Sequence, residues 1–156
     1  MCLIVDANVA ALVFSFEPDK SFQPIWEALW KNRAVAVHGG RLTVEYRRIA
    51  RIRNILLELD RKGVLRKLLD SVVNAAEAEF SDLKLKSDDP HILGLAKVSQ
   101  VRLLCSRDVA LHADFTDTQL LRPAGNVYQN STHTHLIRKH CGGTPKRRKT
   151  RGKKRT

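Results

Sequence analysis

Four acidic side chains stand where a protein built on parallel strands would present them together. Asp6 directly follows an apolar run at the start of the chain, and Asp108 follows a second apolar run near residue 105. Glu45 and Asp89 each open a segment with helical periodicity. Because open α/β sheets bind ligands beyond the carboxyl ends of their strands, we expect these acids to converge. Carboxylates held together repel one another, and a hard cation such as Mg²⁺ or Mn²⁺ relieves that repulsion.

Each acid also has a purely structural explanation. Asp89 precedes Pro90, and an aspartate in that position can cap a helix and stabilise it by about 1 kcal/mol. Glu45 can be a solvated carboxylate in a first helical turn. Asp108 can end a strand by bonding its own backbone in an Asx-turn. Asp6 is the hardest to explain in this way, because a bare acid after a buried strand is costly unless something pairs with it.

Two further acids are alternative ligands. Asp88 stands beside Asp89, and the sequence does not separate the two. Asp114 is a weaker fifth candidate, for which a solvated surface charge is the favoured interpretation.

Apolar spacing predicts strands and helices that alternate along the chain. Short apolar runs predict strands at 2–5, 34–37, 101–105 and 126–128. Apolar residues three and four positions apart predict helices at 22–30, from 42 to a C-cap at Gly63, over 65–76 and over 90–99, with shorter ones at 7–14, 111–115 and 134–139. Alternation of this kind implies parallel pairing with right-handed crossovers, and therefore an α/β fold.

Positive charge is concentrated at the end of the chain. The net charge is +12, and residues 144–156 hold eight of the 28 Lys and Arg residues and no acid. We expect residues 1–143 to fold as one domain and 144–156 to be a disordered basic tail, because the tail has no large apolar side chain to bury. Such a tail gathers nucleic-acid phosphates by counterion release; a merely solubilising tail is the alternative. The basic residues predicted to bind there are Lys146, Arg147, Arg148 and Lys149.

Composition excludes several other classes. No apolar run approaches the roughly eighteen residues of a membrane span, so no membrane partner is expected. The three cysteines are odd in number and widely spaced, which favours reduced thiols and a cytoplasmic location. His133, His135, His140 and Cys141 lack the paired, recurring spacing of a zinc site, and surface histidines explain them better.

Three motifs occur in order along the chain: MCLIVDANVAA, LTVEYRRI and SDDPHILGLAKVSQVRLLCSRDVAL. Together they resemble the PIN-domain ribonucleases, especially the prokaryotic group that includes toxins of toxin–antitoxin pairs. The resemblance runs from residue 1 to about 129. It implies a three-layer α/β/α sandwich with a central parallel sheet, and metal-dependent hydrolysis of RNA phosphodiester bonds.

The resemblance also assigns roles to individual residues. It implies that Asp6, Glu45, Asp89 and Asp108 together hold one or two Mg²⁺ or Mn²⁺ ions. Asn8 and Ser106 match small polar positions that support these acids. A homodimer is implied as well, and a protein antitoxin is a candidate partner.

Arg47, Arg48 and Arg51 lie opposite the apolar stripe of the predicted 42–62 helix, within about one turn of Glu45. They can bind RNA phosphates that flank a metal site, or form an ordinary solvated helix face.

Two other classes compete with a nuclease. A non-catalytic nucleic-acid-binding module would use the basic tail and keep the acids as caps, but a pure phosphate binder gains nothing from a concentrated negative site. A phosphoacceptor receiver domain expects paired acids soon after its first strand, and here the second acid comes much later.

Deleting residues 144–156 should weaken RNA binding and flatten its salt dependence, because several phosphate contacts disappear. Cleavage at saturating RNA in a single turnover should change little, since the acids remain. Binding curves at low and moderate salt, for full-length and truncated protein, measure the effect. Identical salt slopes would exclude the tail from binding and leave Arg47, Arg48 and Arg51 as the candidates.

Overall fold

The computed structural model describes residues 1–142. The predicted basic tail, with Lys146, Arg147, Arg148 and Lys149, lies outside the described residues.

The sheet is small and parallel. Two groups of strands, in the orders β1-β4-β5 and β2-β3, have parallel pairings throughout. A parallel bridge between Leu3 and Ala36 joins the groups, and the Val37 amide donates to the Leu3 carbonyl oxygen at 2.9 Å. The strands therefore follow one another in space as β3-β2-β1-β4-β5. They are β1 Ile4–Val5, β2 Ala36–His38, β3 Leu65–Lys67, β4 Leu103–Cys105 and β5 Asn126–Tyr128.

Helices alternate with these strands, so the predicted α/β class is confirmed; the three-layer sandwich stays a prediction. Two short 3-10 helices, Ala50–Ile52 and Ser131–His133, interrupt the connections. The α-helices of the described chain are α1 Ala7–Val13, α2 Gln23–Trp30, α3 Arg41–Arg47, α4 Arg53–Lys62, α5 Asp70–Ser81, α6 Pro90–Ser99, α7 Val109–Phe115 and α8 His135–Cys141.

The single helix predicted from residue 42 to Gly63 is wrong, because the segment is broken in two. The backbone of Ile49 is extended, with φ −101° and ψ 90°, between α3 and the following 3-10 helix. This bend lets both Tyr46 and Ile52 reach the core, where they are fully buried. Apolar residues keep their three- and four-residue spacing through such a bend, so periodicity alone does not reveal it. Gly63 ends α4 in the left-handed conformation, as predicted.

The helix predicted over 65–76 also begins too early. Leu65 lies in β3, paired with Ala36 of β2, and α5 starts only at Asp70. Leu69 is one of the apolar residues whose spacing predicts that helix, but 72% of it is exposed. Leu65 is buried in the strand and Val64 is buried just before it, and a short apolar run does not distinguish strand from helix.

Helices α5 and α6 pack tightly, and α6 begins one residue after Asp89. A Cβ atom placed on Gly94 would lie 2.6 Å from the backbone nitrogen of Glu77, a separation that side chains do not adopt. The absence of a side chain at Gly94 therefore sets how closely α6 approaches α5. Ile92, Leu93, Leu95 and Ala96 are completely buried beside it.

The expectation of reduced cysteines is corrected at one pair. Cys2 and Cys141 form a disulfide that joins the start of β1 to the end of α8, while Cys105 is a buried free thiol. The two bonded residues are 139 positions apart, too far for sequence spacing to suggest their pairing. A bond that closes so long a loop stabilises a fold by roughly 2–4 kcal/mol.

A search for membrane-crossing helices among residues 1–142 finds none of sufficient length and apolarity.

Candidate active site

The register of two parallel strands brings Asp6 beside Ser106. Val5 of β1 pairs with Cys105 of β4, so the residues that follow these two strands lie together at the carboxyl-terminal end of the sheet. The Asp6 amide donates to the Cys105 carbonyl oxygen at 2.9 Å, and the Ser106 hydroxyl donates to Asp6 Oδ2 at 2.8 Å. Burial raises the pKa of Asp6, against the lowering effect of this hydrogen bond, and the charge of Glu45 raises it further. The sequence-based expectation that Asp6 needs a partner is met in part by Ser106.

Ser106 also fixes the turn that carries Asp108. Its Oγ accepts a hydrogen bond from the Asp108 amide at 3.0 Å, so one hydroxyl contacts both acids of this strand edge. Asp108 is the N-cap of α7 and accepts from the amides of Ala110 and Leu111 through Oδ1 alone. The predicted bonding of Asp108 to its own backbone is therefore present, as the cap of α7, and it leaves Oδ2 outside the cap.

Glu45 reaches the same region from α3. The Tyr46 hydroxyl donates to the Val5 carbonyl oxygen, which ties α3 to the end of β1 next to Asp6. Glu45 lies in the second turn of a helix that begins at Arg41, so the first-turn explanation does not apply. Burial by itself would raise the pKa of Glu45, but a hydrogen bond from His91 and the neighbouring arginines outweigh it and hold that pKa below its usual value.

Asp89 occupies the N-cap position of α6 without acting as a cap. Its side chain makes no capping hydrogen bond, which removes the structural explanation offered by the Asp-Pro pair. Burial, the charge of Asp6 and a hydrogen bond shared with Asp108 raise the pKa of Asp89 to about 6. Asp89 is therefore electrostatically linked to the acids that follow both β1 and β4.

The loop before Asp89 is held by Asp114, the fifth acid considered as a ligand. Asp114 is only 2% exposed, which corrects its interpretation as a solvated charge. Its Oδ1 accepts from the Lys86 amide, and its Oδ2 accepts from the amide and hydroxyl of Ser87. The Ser87 hydroxyl in turn accepts from the Asp89 amide at 3.3 Å. Asp114 thus anchors the loop, and its hydrogen bonds account for its burial.

Asp88 is exposed, and its contact with Arg41 is made by its backbone. Its carbonyl oxygen accepts from Arg41 Nη2 at 2.8 Å, while Arg41 Nη1 lies 3.3 Å from Glu77. Arg41 therefore latches the loop before α6 to α3 and α5. The geometry favours Asp89 over Asp88 as the acid that joins the cluster.

Sequence reasoning missed three residues that position the site. His91 hydrogen-bonds Glu45, Arg41 latches the loop, and His112 braces the turn after β4. His112 Nε2 donates to the Ser106 carbonyl oxygen at 2.8 Å, and the Gln129 amide donates to its Nδ1 at 3.0 Å. The available signal was a polar residue two to four positions from a predicted ligand, as in Asp89-Pro90-His91.

The remaining candidates lie away from the acids or on the surface. Asn8 is exposed on the first turn of α1, and its side chain has no hydrogen bond to the acids within the described chain. The predicted phosphate-binding residues Arg47, Arg48 and Arg51 are all exposed at and beyond the end of α3. His133 and His140 are hydrogen-bonded to Gln129 and Asn126 respectively.

The four acids thus form an electrostatically linked set. The pKa values of Asp6 and Asp89 are both raised by burial first; Glu45 raises that of Asp6 further, and Asp6 and Asp108 raise that of Asp89 further. Across residues 1–142, however, no group of three or more His, Cys, Asp and Glu side chains already has an arrangement that would hold a metal ion. The carboxylates are therefore near enough to repel one another, but they are not already arranged as ligands of a metal ion.

Comparisons of the chain with protein-family models, with curated proteins and with solved structures find no match.

Replacing Asp89 by Asn should stabilise the metal-free protein at pH 7. The pKa of Asp89 rises from 3.8 to about 6 on folding, so the ionised carboxylate costs stability progressively as pH rises through that window, and fully above it. The gain in Tm should therefore shrink towards pH 4. Thermal denaturation in EDTA across this range measures it, with the exposed Asp82→Asn as control. A Tm difference that did not vary with pH would contradict this assignment.

Proposed function

We propose that the protein is a metal-dependent ribonuclease of the PIN type. The observation that carries the proposal is the electrostatic coupling of Asp6, Glu45, Asp89 and Asp108 at one edge of a parallel sheet. Raised pKa values at Asp6 and Asp89 are what an acid cluster shows when its charge is not neutralised. The motif resemblance supports the same assignment, and a three-layer sandwich around the sheet is part of the proposal.

The donor chemistry of the cluster fits Mg²⁺ or Mn²⁺. All four side chains offer carboxylate oxygens, which hard divalent cations prefer, and Asp108 keeps Oδ2 outside its cap. The four acids would hold one or two such ions. When bound there, the cation supplies positive charge that offsets charge developing on the phosphate and the leaving oxygen.

The protein's own groups orient the acids and leave the nucleophile to water. Ser106 holds Asp6 and the backbone of Asp108, while Tyr46 and His91 fix the helix and the carboxylate of Glu45. No nucleophilic side chain is needed for hydrolysis of this kind. Cys105, which directly precedes Ser106, is a buried free thiol. Burial raises its pKa well above the ordinary value, so it is a poor nucleophile.

A nucleic-acid substrate is proposed because the chain combines a set of linked acids with a strongly basic charge. The resemblance to the PIN-domain ribonucleases implies that this nucleic acid is RNA. The exposed Arg47, Arg48 and Arg51 follow Glu45 on the same segment and would contact phosphates flanking the site. The tail would add affinity that does not depend on sequence. A protein antitoxin and a second copy of the chain are the protein partners proposed.

A cytoplasmic location completes the proposal and bears on the disulfide. Cytoplasmic thiols are usually kept reduced, so the Cys2–Cys141 bond is the observation that weighs against this location. Contacts other than the bond also hold helix α8. Leu136 is 8% exposed against the core, and Lys139 and His140 both bond Asn126 at the start of β5.

RNA cleavage by the purified protein tests the proposal. Cleavage should occur with Mg²⁺ or Mn²⁺ and stop with EDTA. Asp6→Asn should cut at least about 100-fold more slowly, since several kcal/mol of charge stabilisation depend on the bound cation. The Asn side chain keeps an acceptor for the Ser106 hydroxyl, so the fold should persist.

The matched control is Asp82→Asn, an exposed acid at the end of α5, which should cleave like wild type. Cleavage that survived EDTA, or that Asp6→Asn left unchanged, would contradict the proposal. Tight RNA binding without cleavage under any of these metals would favour the non-catalytic binding module instead.

A further inference from the structure

His91 is the one charged or polar side chain on α6 that is buried at the acid cluster. Its side chain is 0% exposed, and its Nε2 lies 2.9 Å from Glu45 Oε1. A carboxylate oxygen accepts hydrogen bonds, so His91 Nε2 is the donor. The contact joins α6 to α3, two helices that each carry a proposed ligand.

The other ring nitrogen of His91 has no partner. Within the described residues, Nδ1 is buried without any hydrogen bond. A buried polar atom left unpaired is destabilising, so the imidazole is not at this position for the stability of the core. Its neighbours Ile92, Leu93 and Leu95 are completely buried apolar residues, which an apolar side chain at 91 would match better.

The contact acts on one oxygen of Glu45 only. Glu45 is 29% exposed in its side chain, and Oε1 is the atom that faces His91. Its second oxygen, Oε2, is free of hydrogen bonds from His91. A carboxylate on a flexible side chain gains a fixed orientation when one oxygen is bonded, and groups that orient a metal ligand in this way typically change metal affinity 10- to 100-fold when they are removed.

We propose that His91 is a positioning residue: its Nε2–H holds Oε1 of Glu45 so that Oε2 is presented to a divalent cation shared with Asp6 and Asp89. The inference rests on the proposed metal-dependent function and goes beyond it, because it assigns a role to a residue that is not itself a ligand.

Mn²⁺ affinity, measured by calorimetry on the full chain, tests the role without relying on activity. His91→Gln keeps an amide N–H near the position of Nε2, whereas His91→Asn places its amide near Nδ1 and does not reach Glu45. The Asn variant should bind Mn²⁺ about 10- to 100-fold more weakly, and the Gln variant should stay within about threefold of wild type. His91→Leu, which matches the apolar neighbours, is a second loss variant in case Asn does not fold.

A double-variant comparison separates positioning from packing. Glu45→Gln should weaken Mn²⁺ binding by itself, and adding His91→Asn or His91→Leu to it should weaken binding no further. Loss through positioning is non-additive in this way because both changes act through the same carboxylate. Melting curves in EDTA identify the variants that are folded and enter the comparison.

The outcomes distinguish this inference from the function on which it rests. Wild type that binds no Mn²⁺ overturns both. Wild type that binds Mn²⁺ while a folded loss variant binds equally well overturns the positioning role and leaves the nuclease proposal intact. Equal weakening by His91→Gln and His91→Asn, or additive losses with Glu45→Gln, assigns His91 to packing and overturns the inference. Selective loss, with rescue by Gln, supports it.

Discussion

The parallel pairing of β1 with β4 is the constraint on which the site depends. It sets Asp6 opposite Ser106, and the Ser106 hydroxyl then contacts both the Asp6 carboxylate and the Asp108 backbone. A shift of this register by one residue would turn Asp6 to the other face of the sheet and separate the acids. Hydrogen bonds hold the neighbouring helices at this end of the sheet. Tyr46 makes one from α3, and Asp114 makes others to Ser87 in the loop before α6. Few of these contacts are made by the carboxylate oxygens of the four acids.

The electrostatic cost of the cluster is the second constraint. Burial raises the pKa values of Asp6 and Asp89; the charge of Glu45 raises that of Asp6 further, and the charge of Asp6 raises that of Asp89 further. Structural acids in the same fold behave differently: Asp114 is more deeply buried than Asp6, yet three hydrogen bonds to Lys86 and Ser87 satisfy it. Uncompensated charge therefore distinguishes the candidate site from a cap or an anchor. His91 supplies the main local compensation, through Glu45.

The sequence predicted the α/β class, the strand at 126–128 and the placement of Asp6 and Asp108 after β1 and β4, because these depend on local patterns that survive folding. It failed where tertiary packing overrides a local pattern. The spacing of apolar residues continues across the bend at Ile49 and across the start of β3, so two helices were predicted to be longer than they are. The Cys2–Cys141 bond and the His91–Glu45 contact join residues far apart in sequence, so local spacing does not indicate which residues pair. Asp114 was predicted to be a solvated charge, because the sequence alone does not distinguish a buried, hydrogen-bonded acid from an exposed one.

Anomalous diffraction from crystals grown with Mn²⁺ tests the central claim most directly, because it locates the cation without requiring activity. We expect a peak at roughly 2.0–2.6 Å, the range of oxygen ligands to hard cations, from carboxylate oxygens of Asp6 and Asp89, with Glu45 and Asp108 completing the shell directly or through water. The carboxylates should draw closer together than their repulsion allows in the free protein. A well-ordered site with no peak at these acids, at a Mn²⁺ concentration far above that needed by metal-dependent nucleases, would contradict the proposed metal site.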